Sequence, residues 1–550
     1  MTTLLNLRPE LTHYLQQRLH AFGEGFCHNL ALIGPPGTGK TFQFQQLVAN
    51  HPPNMTVIYC PLYRESCRSF LNRLLSSILQ GGLPAQMGVV GPRPTPGGHE
   101  PTSGAVGTMN QPLEYLLQCA EPHLPKTVAA IQPIGSLLVR HLYGEAFNRA
   151  LDTIPMIVEE RRQPCVLMLD EFLFLEDLGF VHAFHELGKR VMTWPSALFL
   201  LASSSPFRAR MILRERLHLL FGQFELLTLG RLDSTTTTAW VRQELRRVRG
   251  ASVISPFLLH WLGAYPWYLT VFLKRLKEVT MLRKGSALIE PLFLQTAWDV
   301  LGAPEGTLHQ WCQSRMEVLT HGRGGARAME ALIRVAEGIR TTTEIGKRIG
   351  RAGLSTALQL LVEHDLAQRN GMCWMVTDPI LRCWLSTVLV MQRADAHVDS
   401  DHVRQRFEAY FRSLWTSWVQ AHQLSLTEQV AGLFERFRDE TVSLDSKTGR
   451  LPRFQTITTH HPDISGLGTC LIAEGEGRRW CAMAQEGAVD EGVISGFEAF
   501  CRTQTPKPSR KVVVTKAHLD QNAKLLAKTS NMWVWGSEDL SLLMGLYGQP

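Results

Sequence analysis

The chain has 550 residues, 45% hydrophobic and 19% charged, with a formal net charge of +7. This composition excludes a disordered or collagen-like chain and leaves material for several globular cores. The positive excess permits nucleic-acid contact without demanding it, because a dedicated binding domain is usually more basic and more clustered.

The eleven cysteines are scattered with no C-x-x-C pair, which reads as buried free thiols in a reducing compartment. The first residues, MTTLLNLRPE, show no basic segment followed by an apolar one. No uncharged apolar run approaches the roughly 18 residues that a spanning helix needs. The expectation is a soluble cytoplasmic protein with no membrane partner.

In chain order, Leu7 to Leu19 reads as a short amphipathic helix and Leu30 to Ile33 as a buried strand. Gly34-Pro35-Pro36-Gly37-Thr38-Gly39-Lys40-Thr41 then fits the G-x-x-x-x-G-K-[ST] pattern, and Phe44, Leu47 and Val48 follow at helical spacing. In that order glycines let backbone N–H groups curl around phosphates, and the helix N-terminus adds a positive dipole end. Lys40 would reach the β- and γ-phosphates of ATP, and Thr41 would offer its hydroxyl to Mg²⁺. The alternative, a glycine-rich turn without a ligand, does not account for the full octet between strand and helix.

Met55 to Tyr59 is a second strand, followed by a helix with Phe70, Leu71, Leu74, Leu75 and Ile78 on one face. Residues 81–109 are rich in Gly, Pro, Ser and Thr and read as a flexible insertion. Helices are expected from Gln111 to Arg161. Pro164-Cys165-Val166-Leu167-Met168-Leu169-Asp170-Glu171 is an apolar strand ending in two acids. Asp170 is the candidate Mg²⁺ residue, and Glu171 the candidate that polarises the attacking water. A further strand, Ala197 to Ala202, runs into Ser203-Ser204-Ser205, whose simplest role is to cap a turn. After a strand from Phe224 to Leu229, Asp233 opens a helical region that contains Gly263-Ala264-Tyr265-Pro266 and a helix through Leu276.

Residues 326–385 change rhythm. Met329 to Ala336 is one helix, Thr342 to Gly350 a short second, Leu354 to His364 a third, and a hairpin turns at Asn370-Gly371. That succession reads as a winged helix-turn-helix. Its third helix carries no Lys or Arg from Ser355 to His364, and only Gln359 suits base reading. Lys347, Arg348 and Arg351 suit phosphates, so both DNA contact and protein docking stay open.

The P-loop, the acidic strand, Gly263-x-x-Pro266, the winged helix and Thr377-Asp378-Pro379-Ile380-Leu381-Arg382-Cys383-Trp384 together resemble the archaeal-type ATPases. These are a branch of the AAA+/STAND P-loop proteins, and the resemblance covers residues 1 to about 392. Val57 to Arg64 is also similar to the origin-recognition ATPases. Pro35-Pro36 departs from the arginines frequent in the archaeal-type family and looks more like mainstream AAA+. The resemblance implies that Pro266 lies near the adenine and that Ser203 or Ser204 contacts the γ-phosphate or the water. Arg214 or Arg216 would act as an arginine finger on a neighbouring subunit, against the simpler reading of solvated surface charge.

Many such relatives end in a PD-(D/E)XK nuclease-like domain, and residues 400–550 are similar to it in layout. His461-Pro462-Asp463-Ile464 stands at the place of its first acid, but Ala484 and Glu486 stand where a second acid and a lysine are needed. A degenerate, inactive tail is expected. The resulting expectation is a multidomain chain: a RecA-like α/β P-loop core (1–232), a helical lid (233–320), a winged helix-turn-helix (321–395) and an α/β restriction-endonuclease-like domain (396–550). Its implied activity is Mg²⁺-dependent ATP hydrolysis controlling a switch or assembly step with a protein partner. DNA-bound loading, mobile-element or defence work is the alternative, and an ATP-controlled nuclease a more distant one.

Overall fold

A computed structural model describes residues 6–84, 112–180, 182–215, 224–246, 248, 251–282, 289–320, 324–391, 400–444, 447–462, 464, 467–517 and 519–547. The chain forms two compact units, residues 1–296 with 363–365, and residues 297–362 with 366–550.

The first unit is built on five parallel strands: β1 (Asn29–Ile33), β2 (Thr56–Pro61), β3 (Cys165–Asp170), β4 (Ala197–Ser203) and β5 (Phe224–Thr228), in the spatial order β2-β3-β4-β1-β5. Strands β1, β3 and β4 are buried at every position, which is why they read as unbroken apolar runs. Alternate residues serve different cores. Leu30, Leu32, Val166, Met168, Leu198 and Leu200 pack with Phe44 and Leu47 of the P-loop helix, Lys40–Ala49. Ala31, Ile33, Leu167, Leu169, Phe199 and Leu201 face the other way, toward helices Cys67–Gly82 and Tyr143–Arg161. This layout is that of a RecA-like P-loop core.

The expected insertion begins later than the composition suggests. Gly81 and Gly82 are the last residues of helix Cys67–Gly82, and both lie where an added side chain would meet a neighbour. A Cβ on Gly81 would come within 2.6 Å of the Val57 carbonyl oxygen, and one on Gly82 within 2.7 Å of Leu124. These glycines permit close packing and do not mark a loop. The rest of the expected insertion lies largely outside the described residues, as do Arg216 and Asp463. Four helices, Leu113–Ala120, Pro125–Ile131, Ile134–Val139 and Tyr143–Arg161, lead into β3.

In the second unit, helices Gly325–Ala336, Thr342–Ile349 and Leu354–Glu363 precede a hairpin of β6 (Ala367–Asn370) and β7 (Cys373–Val376). Thr341 caps the middle helix in a capping box with Glu344. Beyond helix Ser400–Gln423 comes the hairpin β8 (Glu440–Leu444) and β9 (Lys447–Leu451). A mixed sheet follows in the order β10 (Thr456–His460), β11 (Thr469–Gly475), β12 (Arg478–Gln485), β13 (Arg510–Thr515) and β14 (Met532–Trp535). The first three strands are antiparallel and the last two join parallel. Helix Glu491–Thr503 connects β12 to β13, as a parallel pair requires. No helix among the described residues is long and apolar enough to cross a membrane.

Candidate nucleotide-binding site

The P-loop leaves β1 through a turn that only particular residues can make. A Cβ on Gly34 would sit 2.2 Å from the Leu229 carbonyl oxygen, so the loop starts where no side chain fits. Gly37 and Gly39 have φ of +75° and +94°, in the region that glycine enters without strain. Thr38 is fully buried and donates its hydroxyl to the Pro35 carbonyl at 2.8 Å. Pro35 and Pro36 line the same turn. Lys40 is 4% exposed, and its ammonium donates to the carbonyls of Gly34 (2.9 Å) and Pro35 (3.0 Å). The lysine is thus folded back over the loop it would share with phosphates.

Residue parity decides which acid meets the P-loop. Asp170 shares the face of Val166 and Met168, the face against which the P-loop helix packs. It is 3% exposed, and its Oδ2 accepts from the Tyr59 hydroxyl at 3.1 Å. Burial, reinforced by the neighbouring Glu171 charge, raises its pKa to about 6, against the opposing influence of Thr41, Lys40 and Tyr59. A buried carboxylate whose Oδ1 lacks a regular hydrogen bond, with the Thr41 side chain and the Lys40 charge acting on it, suits a divalent cation, and Mg²⁺ typically takes only one or two carboxylates, with phosphates and water completing its shell. Among the described residues no group of three His, Cys, Asp or Glu side chains gathers as a metal cage.

Glu171 leaves the strand with φ of +57°, which turns its carboxylate toward the end of β4. There the Ser204 backbone N–H donates to Oε2 at 2.9 Å and the Ser204 hydroxyl donates to Oε1. Of the two candidate serines, Ser204 meets the acid. Ser203 is fully buried in register with Ile33, and its hydroxyl accepts from the Ser205 N–H at 3.1 Å. The period of two sends Ser203 to the far face with Phe199 and Leu201.

Pro266 opens helix Pro266–Leu282, next to Gly263 with φ of +65°. The following residue, Trp267, donates its backbone N–H to the Gly37 carbonyl at 3.3 Å. Its side chain lies 3.3 Å from where a Cβ on Gly37 would be. The helix start therefore rests on the P-loop. Neither Trp267 nor Tyr59 has a role assigned by the sequence: the signal for Trp267 is its place after Pro266, and that for Tyr59 its place in the stretch Val57 to Arg64. Arg214 is exposed near the end of helix Pro206–Glu215.

No family model and no curated protein matches the chain. Among solved structures it is similar to the Walker-type ATPase PABY2304 of Pyrococcus abyssi, at 15% identity and a TM-score of 0.45, covering 69% of this chain and 95% of that one. It is similar to ORC2 of Aeropyrum pernix in its ADPNP–ADP complexes, at 15% identity and 0.40, covering 75% and 95%. The RuvB Holliday junction branch migration motor of Thermotoga maritima matches at 14% and 0.29, covering 71% and 96%. The neighbours include an archaeal Walker-type ATPase and an archaeal ORC protein.

In the second unit, the position expected for nuclease chemistry serves packing. Ala484 is buried, and Glu486 accepts the Leu426 backbone N–H at 3.2 Å, satisfying a donor at the start of helix Leu426–Phe434.

Proposed function

We propose that this chain is a Mg²⁺-dependent P-loop ATPase that works as a nucleotide-controlled switch or assembly factor. The observation that carries the reading is the convergence of Lys40, Thr41 and Asp170 on one face of the sheet, with Glu171 held at its edge by Ser204. ATP would displace Lys40 from the Gly34 and Pro35 carbonyls, which exchanges two neutral acceptors for charged phosphate oxygens. Bound Mg²⁺, held by Thr41 and Asp170, would neutralise the charge that develops on the phosphates. Glu171 would accept a proton from the attacking water, and Ser204 keeps its carboxylate from swinging away. Gly37 and Gly39 admit the phosphates by exposing backbone N–H groups, and Pro266 would close over the base. ATP hydrolysis by wild type and Glu171→Gln tests this: turnover should vanish in the variant while ATP binding persists. Equal turnover in both would refute the assignment of Glu171.

We read the three helices and the β6–β7 hairpin as a winged helix-turn-helix and the C-terminal sheet as a degenerate nuclease-like domain. One observation favours protein contacts over DNA. The hairpin tip, which a wing would use on DNA, is bound by the tail: Met372 N–H donates to Thr441 O at 2.7 Å. Asn370 also exchanges two hydrogen bonds with the Ser443 backbone, at 3.0 and 2.7 Å. The alternative, a DNA-bound ATPase contacting phosphates through the exposed Lys347, Arg348 and Arg351, predicts salt-sensitive duplex binding and DNA-stimulated hydrolysis.

A further inference from the structure

The side chain that holds Asp170 belongs to a residue outside the P-loop and the acidic strand. Tyr59 lies on β2 in register with Met168, while Asp170 is in register with Pro61. Met168 and Asp170 are two residues apart and share a face, so the phenol runs along the strand direction to donate to Oδ2 at 3.1 Å. Its ring is fixed from the other side. Phe44 meets it edge-on, with centroids 6.5 Å apart and planes at 88°. Phe44 is four residues after Lys40 on the P-loop helix and therefore on the same face as that lysine. A chain of contact runs from the P-loop helix through Phe44 and Tyr59 to the acid.

The consequence is an asymmetric carboxylate. Oδ2 is tethered by the phenol, whereas Oδ1 is buried without a hydrogen bond of regular geometry, with the Thr41 side chain favouring the charged carboxylate. A carboxylate free at both oxygens rotates over a broad torsional well, and any cation would have to order it. With Oδ2 held, the direction of Oδ1 is set in advance. We propose that Tyr59 is the positioning residue for the magnesium-facing oxygen of Asp170, acting on cation affinity and leaving nucleotide affinity alone. The inference rests on the reading of Asp170 as the Mg²⁺ residue. Hydrogen-bond partners behind a metal-ligating group typically change metal affinity by about 10- to 100-fold.

Tyr59→Phe in the full chain keeps the ring and removes only the hydroxyl. Two binding measurements decide the matter: a fluorescent ATP analogue titrated in EDTA, and Mn²⁺ bound to the ADP complex followed by electron paramagnetic resonance. The expected result is unchanged nucleotide affinity in EDTA, Mn²⁺ affinity weakened about 10-fold, and kcat recovered by excess Mg²⁺. A purely structural role would instead lower the melting temperature and the EDTA affinity, and that outcome, or unchanged Mn²⁺ affinity, overturns the proposal. Asp170→Asn separates the two levels. If it loses Mn²⁺ binding while Tyr59→Phe does not, only the role of Tyr59 fails; if it keeps wild-type Mn²⁺ binding, the reading of Asp170 fails and this inference with it. In the Asp170→Asn background, Tyr59→Phe should add no further loss.

Discussion

Ser204 grips Glu171 twice, through its backbone N–H and through its hydroxyl. The backbone contact survives any substitution at this position except proline, so the hydroxyl is the separable half. Ser204→Ala should lower kcat by about 10- to 100-fold through misplacement of the carboxylate, with the KM for ATP little changed. Ser203→Ala, which alters a turn on the opposite face, should leave kcat near wild type and lower the melting temperature. Steady-state ATPase assays on both variants distinguish the roles.

Lys40 is expected to carry nucleotide binding. At an ATP concentration about 100 times Kd, a ligand that binds only the folded state stabilises it by about 2.7 kcal/mol. Lys40→Ala should lose most of that stabilisation at the same ATP concentration, while the protein without nucleotide still unfolds cooperatively. Thermal melts with and without ATP provide the check. A full ATP-dependent shift in the variant would show that the phosphates are held elsewhere.

The pH dependence of stability should carry the signature of Asp170. Its folded-state pKa is about 6, above the ordinary 3.8, with burial the main cause. The folded protein therefore binds this proton more tightly than the unfolded chain does. The associated stabilisation is fully present below about pH 4 and is lost as pH rises through 6. Asp170→Asn removes the buried charge, so it should stabilise the nucleotide-free protein at pH 8 by on the order of 1–3 kcal/mol. That gain should shrink to near zero at pH 4 as Asp170 becomes neutral. Urea unfolding at several pH values measures it, and a gain independent of pH would argue against a buried carboxylate.

The β6–β7 tip should behave as a structural joint in the second unit. A Cβ on Gly371 would stand 2.1 Å from the Thr441 carbonyl oxygen, and its φ is +61°. Gly371→Val combines that clash with a backbone conformation disfavoured for a β-branched residue. Asn370→Ala removes both hydrogen bonds to the Ser443 backbone and should cost about 1–3 kcal/mol. Gly371→Val should cost more. Both should increase proteolysis near β8, and duplex binding lost in these variants would instead point to a hairpin that works on DNA.

The P-loop and the acidic strand were legible because their chemistry is local. Eight consecutive residues specify the phosphate loop, and five apolar residues followed by two acids specify a buried strand with functional groups at its end. The strands of the first unit were legible for a related reason: burial on both faces leaves unbroken apolar runs. The insertion boundary is not legible in the sequence, because Gly81 and Gly82 look like loop residues while their role, fitting against Val57 and Leu124, depends on neighbours distant in sequence. Helix Ser400–Gln423 and the β8–β9 hairpin are not implied by the layout that the tail resembles.

By itself the sequence determined that a phosphate loop opens a helix after a buried strand, and that Asp170 and Glu171 end a second one. Strand order and register were decided only in three dimensions. The placement of β4 between β1 and β3 brings Ser204 to Glu171, and the pairing of β2 with β3 brings Tyr59 to Asp170. Neither contact leaves a mark in local spacing, because 33 residues separate the first pair and 111 the second. The hydrophobic pattern tells each strand which faces to bury, but only packing against the other elements selects its neighbour, and with it the partner of each acid.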